Sequence, residues 1–415
     1  MKARMYVKQK AIRPHIDIDD ICGVAHTASG VLQSARSSML APESKKSPPT
    51  FNSGRLAELC GLEMNQVQYL AKKGDLPSGG RGGTSRREWT LAEARPWVRT
   101  IKLDTLRDPK RSAATTITVA NFKGGVTKTT TAAALAQGLS LLGHKVLVID
   151  TDPQGSLTTL FGVVPDTEVE VEQTILPLCT GETDSIMSAI RPTYWDGIDL
   201  VAAAPVLFNA EFVLPARQKN EPGFAFWRVL DAGLDDARDT YDIIIIDTPP
   251  SLSYITINSL LAAEGIVMPL PPNALDFASS TQFWSLFGEV CKGLFQAGEN
   301  KKFSFVDIVL SRVDRADQVS LDVREWIVAA YGAKVLPMEI PKTSIAATAS
   351  IGFGTVYDLD SSSAQAKTLK RARDAYDQLV NHVAAQARGV WEADIESMVR
   401  HEGKIAVSNV AKEDV

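Results

Sequence analysis

A chain of 415 residues with 45% hydrophobic and 22% charged residues has the composition of a globular protein of two or three domains. Its four cysteines are scattered without Cys-x-x-Cys spacing and its five histidines are dispersed, which argues against a disulfide framework or a zinc site. No apolar run approaches the thickness of a bilayer, and the N-terminus lacks the apolar core of a signal peptide. We therefore expect a cytoplasmic protein without a membrane segment.

The net charge of −5 hides an asymmetry along the chain. Residues 1–111 carry 20 Lys and Arg against 11 Asp and Glu, whereas the remainder carries 24 against 38. A basic front segment joined to an acidic body suggests that the front segment contacts nucleic acid. The alternative is a basic segment that serves only solubility.

Residues 1–50 are predicted to form an N-terminal extension and linker. A mixed apolar and polar stretch favours a helix somewhere between Asp19 and Met39, and a polar linker then runs to the Pro48-Pro49 pair. The residue types in this segment indicate no chemical role.

Residues 51–110 are predicted to form a small helical domain. A short helix is expected from an N-cap at Ser53 through Cys60, and Gly61 then supplies the turn to a second helix. This second helix, residues 64–73, has one apolar face and one polar, basic face of the kind that reads base edges and contacts phosphates. The residues of that polar face are Asn65, Gln66, Gln68, Tyr69, Lys72 and Lys73.

A glycine-rich hairpin follows, LPSGGRGGTSRREW, and it carries Arg81, Arg86 and Arg87. The sequence T-L-A-E from Thr90 to Glu93 is a capping box that opens a third helix. Helix, turn, helix, basic wing and helix resembles a MerR-like winged helix-turn-helix, which implies that this segment binds DNA. The alternative is a helical interaction domain whose charged face is only solvated.

The stretch TITVANFKGGVTKTTTAAALAQGL, residues 116–139, predicts a buried strand, a glycine loop and a helix that starts near Lys128. In this layout, backbone N–H groups converge on a phosphate at the helix N-terminus, where the helix dipole favours negative charge. Lys128 would place its charge on the β- and γ-phosphates, and the Thr129 hydroxyl would ligate Mg²⁺. The predicted nucleotide-binding residues are Lys123, Gly124, Gly125, Val126, Thr127, Lys128, Thr129 and Thr130.

The loop departs from the ordinary G-x-x-x-x-G-K-[ST] pattern, because Phe122 and Thr127 stand where that pattern requires glycine. The chain has K-G-G-V-T-K-T instead, with an additional lysine, Lys123, at the head of the loop. This form resembles the ParA/MinD group of P-loop ATPases. The resemblance implies that Lys123 reaches across a dimer interface to the partner's ATP and acts there as an arginine finger does.

Two further strands are predicted to end in aspartate. Val146–Ile149 runs into Asp150, followed by Asp152, and the four isoleucines of YDIIIIDTPP run into Asp247. An apolar strand that ends in Asp is a Walker B arrangement, so Asp247 is expected to hold Mg²⁺ through water. A helix N-cap is the alternative role for such an aspartate.

The continuations D-x-D-P-Q-G and D-T-P-P resemble ParA motifs. The resemblance implies that Asp150 supports the Mg²⁺ shell and that Asp152 positions the attacking water. The predicted catalytic residues are therefore Lys123, Lys128 and Asp152, and the predicted metal ligands are Thr129, Asp150 and Asp247.

Later elements are less distinctive. LVAAAP, residues 200–205, predicts a strand, and residues 224–237 predict an amphipathic helix. A final helix from Ser363 has apolar residues at core spacing and a basic face that is either solvated or a contact for the DNA backbone. That face consists of Lys367, Lys370 and Arg371.

These patterns predict an α/β fold: a P-loop NTPase parallel sheet with helices on both faces over residues 111–415, preceded by the winged helix-turn-helix of residues 51–110. The resemblance covers residues 112–390, and the front domain resembles that of the long form of plasmid or chromosome partition ATPases. It implies a nucleoid-associated homodimer that holds two ATP molecules with Mg²⁺ and hydrolyses them slowly. It also implies non-specific DNA binding in the ATP state, stimulation by a ParB-type centromere-binding protein, and repression of its own operon.

The sequence is also compatible with two other functions. One is a transcriptional repressor that senses nucleotide without a direct role in segregation. The other is a MinD-like positioning ATPase, although the acidic C-terminal sequence HEGKIAVSNVAKEDV lacks the basic apolar stripe of a membrane anchor.

Overall fold

The chain divides into two units, residues 1–45 and residues 46–415. In the first unit, the described residues form one α-helix, Ile18–Met39 (α1). The computed structural model describes residues 17–39, 46–81, 87–295, 300–343, 354–359 and 366–413. The helix agrees with the prediction from sequence. Its exposed side chains include Ile18, Val24 and Val31.

Residues 51–101 contain a helix-turn-helix next to a small antiparallel sheet. The helices are Ser53–Cys60 (α2), Met64–Lys73 (α3) and Leu91–Ile101 (α4), and the strands are Phe51–Asn52 (β1), Gly80–Arg81 (β2) and Arg87–Trp89 (β3), in the order β1-β3-β2. Gly61 adopts a left-handed φ of 68° at the turn, and Thr90 and Glu93 form the predicted capping box. The predicted cap at Ser53 is wrong, because the side chain of Asn52 accepts the N–H of Arg55 at 3.0 Å and Ser53 is the first helical residue.

The strands between residues 115 and 341 form one eight-stranded sheet. Its strands are Thr115–Val119 (β4), Val146–Asp150 (β5), Arg191–Pro192 (β6), Ile198–Val201 (β7), Ile243–Asp247 (β8), Gly265–Leu270 (β9), Phe305–Val313 (β10) and Val335–Pro341 (β11). The order across the sheet is β11-β10-β9-β4-β8-β5-β7-β6, and every pairing is parallel except that of β6 with β7. The isoleucine strand β8 is thus central and buried on both faces, as its composition predicts.

Helices connect these strands and cover both faces of the sheet, which confirms the predicted fold class. They are Lys128–Leu141 (α5), Ser156–Leu160 (α6), Leu176–Thr180 (α7), Ala210–Asn220 (α8), Val229–Gly233 (α9), Asp235–Thr240 (α10), Tyr254–Ala262 (α11), Ala274–Leu294 (α12), Gln318–Tyr331 (α13) and Ala366–Glu413 (α14). Along β8 the isoleucines alternate between two cores, with Ile243 and Ile245 in one and Ile244 and Ile246 in the other.

The first of these cores also includes buried side chains from residues 51–101. Phe51, Trp89 and Trp97 belong to the same buried cluster as the side chains of α5 and α14. Helix α14 packs on α5 so closely that a Cβ atom on Gly138 would lie 2.4 Å from a methyl group of Val380. The residues predicted at core spacing in the last helix are all buried, namely Leu369, Ala372, Tyr376, Leu379 and Val383.

Two sequence predictions in this part of the chain are wrong. The strand expected over residues 200–205 ends at Val201, because Ala202 N–H donates to the Gln173 carbonyl and Ala203 N–H donates to the Thr158 hydroxyl instead of continuing the ladder. The single helix expected over residues 224–237 is broken into a 3₁₀ turn, α9 and α10. Gly233 lies at the break, where a Cβ atom would be 2.7 Å from the Leu178 side chain.

Candidate functional site

The loop between β4 and α5 has the geometry of an anion cradle. Gly125 and Thr127 both adopt a left-handed φ of 75°, and no side chain caps the N-terminus of α5. The first N–H groups of a helix have no partner within the helix, so they are available to an anion at this point. The predicted start of the helix at Lys128 is confirmed.

Lys128 is buried within this loop, with 6% of its surface exposed. Its ammonium group donates to the carbonyl oxygen of Lys123 at 3.0 Å, so the side chain closes the loop onto its own start. Burial lowers the pKa of Lys128, while the nearby carboxylates of Asp247 and Asp152 oppose that shift. The positive charge therefore lies among acidic groups at the carboxyl edge of the sheet.

Asp247 ends β8 directly opposite Asp150 of β5 in the parallel register. Asp247 is fully buried, and neither of its carboxylate oxygens has a hydrogen-bond partner of ordinary geometry among the described residues. Burial, together with the neighbouring charge of Asp150, raises its pKa well above the usual range, and the Thr129 hydroxyl and Lys128 oppose the shift. An unpartnered buried carboxylate is costly, which points to a missing partner at this position.

Asp150 differs from Asp247 because its oxygens are occupied. One oxygen accepts the N–H and the hydroxyl group of Thr158, each at 2.8 Å, and the other accepts the N–H of Asp152 at 3.1 Å. Burial raises the pKa of Asp150 to about 7, although the two bonds from Thr158 oppose the shift. Asp152 is partly exposed, and one of its oxygens accepts the N–H of Gln154 at 3.0 Å.

These residues fit a nucleotide phosphate with Mg²⁺. The open oxygens of Asp247 and the nearby Thr129 hydroxyl are hard oxygen donors, the type that Mg²⁺ prefers. The described residues contain no cluster of three or more His, Cys, Asp or Glu side chains arranged as a metal site. Mg²⁺ suits such a sparse set, because it takes many of its ligands from water and substrate phosphates.

Lys123 does not join Lys128 and Asp247 inside the loop. Its ammonium group lies 2.6 Å from Oδ1 of Asp276, in the first turn of α12, and the Lys123 side chain is 40% exposed. A contact across 153 positions of sequence leaves no local signal, so Asp276 could not be found from the sequence. Gly124 lies beside the D-T-P-P segment, since a Cβ atom there would be 3.9 Å from Pro250.

Two side chains at the end of β10 also touch the loop, and sequence reasoning missed both. The Ser311 hydroxyl donates to the carbonyl oxygen of Val126 at 3.2 Å. The guanidinium group of Arg312 donates to the carbonyl oxygen of Gly125 at 3.0 Å. Nothing in the composition of β10 distinguishes these residues from ordinary strand positions.

The six residues of the candidate DNA-contacting face of α3 fall into three groups. Asn65 and Gln66 cap their own helix, because their side-chain oxygens accept backbone N–H groups at 2.7 Å. Gln68, Tyr69 and Lys72 are exposed and carry no such cap. The remaining residue, Lys73, is exposed and pairs with Asp75 at 2.6 Å.

The candidate wing is only partly described. Its strands β2 and β3 pair antiparallel, with Arg81 opposite Arg87, as expected for a hairpin. Arg87 is exposed, whereas Arg86 lies outside the described residues. Arg87 and Lys72 line one cleft together with Gln68 and the start of α2.

The predicted basic face of the last helix borders an open groove of about 450 Å³ between α14 and the end of the sheet. Its charged lining residues, which we call the basic groove, are Arg315, Glu339, Lys367, Lys370, Arg371 and Asp374. Glu339 is already neutralised by ion pairs with Arg315 at 3.3 Å and Arg324 at 2.5 Å. The groove therefore keeps a positive balance.

Two arginines, the buried Arg95 and the exposed Arg99, join α4 to the far end of α5. Arg95 donates to the carbonyl oxygens of Ser140 and His144, at 2.7 Å and 3.1 Å, and pairs with Asp196 at 2.9 Å. Arg99 donates to the carbonyl oxygen of Gly143 at 2.5 Å. The helix that begins at the phosphate loop, α5, thus ends in direct contact with α4.

None of the helices in the described part of the chain is both long enough and apolar enough to cross a lipid bilayer.

Comparison with known sequences gives matches over most of the chain. Residues 114–301 match a family model described as an AAA domain. The chain is 29% identical to a putative replication protein A of Sinorhizobium fredii, over 84% of this chain and 89% of that protein. It is 30% identical to the chromosome partitioning protein ParA of Caulobacter vibrioides, over 62% of this chain and 92% of that protein.

Solved structures resemble it as well. A partition protein aligns with 90% of this chain and 99% of its own, with a TM-score of 0.62 and 20% identity, which is a likeness of fold alone. Cobyrinic acid a,c-diamide synthase from Mycobacterium smegmatis, with a bound ATP analogue and magnesium, aligns with 65% of this chain and 93% of its own. That match has a TM-score of 0.51 and 28% identity.

Proposed function

Because the chain belongs to the ParA family of partition ATPases, we propose that it binds ATP and Mg²⁺ at residues 123–130 and hydrolyses ATP slowly as a homodimer. In this proposal the ATP-bound dimer binds DNA without sequence preference and serves the segregation of a plasmid or chromosome. A ParB-type partner at a centromere site stimulates hydrolysis, and the winged segment represses the protein's own operon.

The proposed nucleotide site rests mainly on the buried carboxylate of Asp247. It lies beside Lys128 and Thr129, and its oxygens have no hydrogen-bond partner of ordinary geometry among the described residues. A bound Mg²⁺ supplies charge neutralisation for the phosphates there. Asp247 and Thr129 hold that ion, and Asp150 supports the same edge while it also fixes the chain at Thr158. The N–H groups of residues 124–130 bind the phosphate oxygens, and Lys128 places its charge on them.

Hydrolysis needs two further roles in this proposal. Asp152 orients the attacking water, since its partly exposed carboxylate stands two residues beyond the end of β5. Lys123 leaves Asp276 and adds its positive charge to the phosphates held by the opposite subunit, where charge develops on the transferring group. Each site is incomplete without the second subunit, which makes turnover depend on dimer formation.

Non-specific DNA binding is assigned to the basic groove, because Lys367, Lys370 and Arg371 present exposed cations along one helix. Binding of this kind rests on phosphate contacts and weakens steeply with salt. Operator binding is assigned to Gln68, Tyr69, Lys72 and Arg87, in a two-fold dimer that matches a palindromic site. Arg81 and Arg86 are proposed to extend that contact along the wing.

The experiment is an ATP hydrolysis assay with Mg²⁺, alone, with duplex DNA, and with DNA plus a ParB-type centromere-binding protein. We expect a low basal rate that rises with DNA and the ParB-type protein, and no turnover in Lys128→Ala. A basal rate that neither addition raises would favour the nucleotide-sensing repressor. A wild-type rate no higher than that of Lys128→Ala would contradict the ATPase itself.

The DNA assignment has its own measurement. Binding of a random-sequence duplex is followed at several salt concentrations in the presence of a nonhydrolysable ATP analogue. Removing two phosphate contacts in Lys370→Ala/Arg371→Ala should reduce the slope of log K against log salt by about 2. The matched control, Lys219→Ala/Arg400→Ala, removes two exposed cations outside the groove and should keep the wild-type slope.

A further inference from the structure

Arg312 is held in a backbone conformation that its side chain disfavours. Its φ is 53°, and Thr127 is the other non-glycine residue with a positive φ among the described residues. A left-handed conformation in a bulky residue costs free energy, and such residues concentrate at functional sites. Thr127 lies in the phosphate loop itself, and Arg312 contacts that loop.

The strand is irregular at the same point. Leu310 of β10 pairs with Glu339 of β11, but Val313 pairs with Pro341, so three steps on one strand match two on the other. An irregularity of this kind re-aims the side chains of the bulged strand. Here it turns both Ser311 and Arg312 toward the phosphate loop, where they donate to the carbonyl oxygens of Val126 and Gly125.

These two bonds fix the orientation of two successive peptide planes. In a trans peptide, the carbonyl of one residue and the N–H of the next point in opposite directions. Since Arg312 holds the Gly125 carbonyl, the Val126 N–H points away from Arg312. Since Ser311 holds the Val126 carbonyl, the Thr127 N–H likewise points away from β10, and neither N–H donates to another group among the described residues.

We propose that Arg312 is a positioning residue for nucleotide, which holds the phosphate loop so that the N–H groups of Val126 and Thr127 face the bound phosphates. This rests on the proposed nucleotide site and names a residue outside the loop that sets its geometry. The loop contains flexible glycines at positions 124 and 125, so it needs an external contact to keep one orientation. The unfavourable φ of Arg312 persists because the irregular strand imposes it.

The test is the affinity of the full-length protein for N-methylanthraniloyl-ADP with Mg²⁺, followed by fluorescence and checked by competition with unlabelled ADP. Loss of a hydrogen bond from a charged group should weaken binding about tenfold in both Arg312→Ala and Arg312→Gly. Since the loop holds the phosphates before and during the reaction, KM for ATP should rise while kcat changes less than about twofold. Arg312→Lys, which keeps one cationic donor, should bind more tightly than Arg312→Ala.

Arg312→Gly separates positioning from stability. Glycine accepts a positive φ without strain, so the thermal midpoint of this nucleotide-free variant should equal or exceed that of wild type although its affinity falls. Arg324→Ala, which removes a nearby arginine that pairs with Glu339, is the matched control and should bind ADP as wild type does. Wild-type affinity in both Arg312→Ala and Arg312→Gly would overturn the positioning role alone, whereas absence of binding by the wild-type protein would overturn the nucleotide site.

Discussion

The ammonium group of Lys123 lies 2.6 Å from Oδ1 of Asp276 in the same chain. Asp276 is in the first turn of α12, a position at which acidic residues favour the helix dipole. The lysine that would serve the opposite subunit is therefore held by its own subunit in this structure. Its transfer to a partner's site requires the loss of this ion pair.

Asp276→Asn should favour the ATP-bound dimer, because Lys123 then leaves its resting position at a lower cost. The pair is partly exposed, so the gain is at most about 1 kcal/mol per subunit. Because two such pairs are lost when a dimer forms, the dimer dissociation constant should fall by at most roughly thirtyfold. Sedimentation equilibrium with a nonhydrolysable ATP analogue measures it. Glu289→Gln, on the exposed face of the same helix, is the control, and a weaker dimer in Asp276→Asn would contradict the prediction.

Asp247→Asn should stabilise the nucleotide-free protein while it removes the dependence of nucleotide binding on Mg²⁺. The substitution replaces a buried carboxylate whose pKa is raised by burial and by Asp150 with a neutral amide, which should raise the free energy of unfolding by about 1 kcal/mol. Urea unfolding gives the stability, and ADP-analogue binding in Mg²⁺ and in EDTA gives the metal dependence.

Asp242, at the other end of the same strand, supplies the contrast to Asp247. Its carboxylate is satisfied by the Arg107 guanidinium at 3.3 Å and by the Lys145 N–H at 2.8 Å. Asp242→Asn should therefore be destabilising. If Asp247→Asn were equally destabilising, or still bound nucleotide in a Mg²⁺-dependent way, the role assigned to Asp247 would be wrong.

The junction between α4 and α5 should respond non-additively to mutation. Arg95→Ala removes a donor from the carbonyl oxygens of Ser140 and His144 and the ion-pair partner of Asp196, and it should cost about 3 kcal/mol of stability. Gly197→Ala should also destabilise, because a Cβ atom there would lie 2.0 Å from the guanidinium carbon of Arg95 and the φ of Gly197 is 82°. In the double variant the space is already vacated, so the total loss should be smaller than the sum of the two.

Gly223→Ala is the control for that experiment. Gly223 has a similar φ of 80° but nothing within 4 Å of a Cβ atom, so alanine there carries only the backbone strain. Urea unfolding of the two single variants, the double variant and Gly223→Ala measures the loss of free energy of unfolding in each. Full additivity between positions 95 and 197 would show that the close contact does not govern stability.

His144 should make an unfavourable contribution to stability on mild acidification. Burial lowers its pKa to about 4, with nearby arginines adding to the shift and Asp242 opposing it, and its ring packs 5.7 Å from that of Trp391. Since an unfolded histidine titrates near 6.5, the unfolded state binds more protons between about pH 6.5 and 4. The contribution of His144 to the free energy of unfolding therefore falls as the pH drops through this window, by about 2 kcal/mol between pH 7 and pH 5, whereas the raised pKa of Asp150 contributes in the opposite sense.

His144→Phe keeps an aromatic ring beside Trp391 and removes the titration. Between pH 7 and pH 5, its free energy of unfolding should therefore change more favourably than that of wild type, by about 2 kcal/mol. Urea unfolding at the two pH values makes the comparison. His26→Phe, at an exposed position of α1, should keep the wild-type dependence. If the free energy of unfolding of His144→Phe changed with pH as that of wild type does, the titration assigned to His144 would be wrong.

The sequence predicts the part of the site that is local in the chain. Strands β4, β5 and β8 are runs of β-branched residues that end in the loop or in aspartate, so both their type and the edge they share follow from pattern. The pairing of Asp150 with Asp247 at this edge follows once the two parallel strands are adjacent. The sequence pattern does not predict that the Asp150 carboxylate accepts hydrogen bonds from Thr158, or that the Asp247 carboxylate oxygens lack such bonds among the described residues.

Contacts between distant segments were not predictable. Asp276 resembles any acidic residue in a first helical turn, and Arg95 resembles an ordinary charged residue of an amphipathic helix, although it is buried against the end of α5. The positive φ of Arg312 is imposed by an irregular strand pairing that has no signature in residue type. Close packing of Gly233 on Leu178 likewise overrides the helical periodicity of residues 224–237.

The most direct test of the account is hydrolysis by mixed dimers of Lys123→Gln and Asp152→Ala, each inactive alone. If Lys123 serves the opposite subunit, a mixed dimer has one complete site, formed by Asp152 of the first variant and Lys123 of the second. Equal mixing should then restore about a quarter of the wild-type rate, since about half of the randomly formed dimers are mixed and each has one working site. If the mixture stays as inactive as its components, Lys123 acts within its own subunit and the account is contradicted.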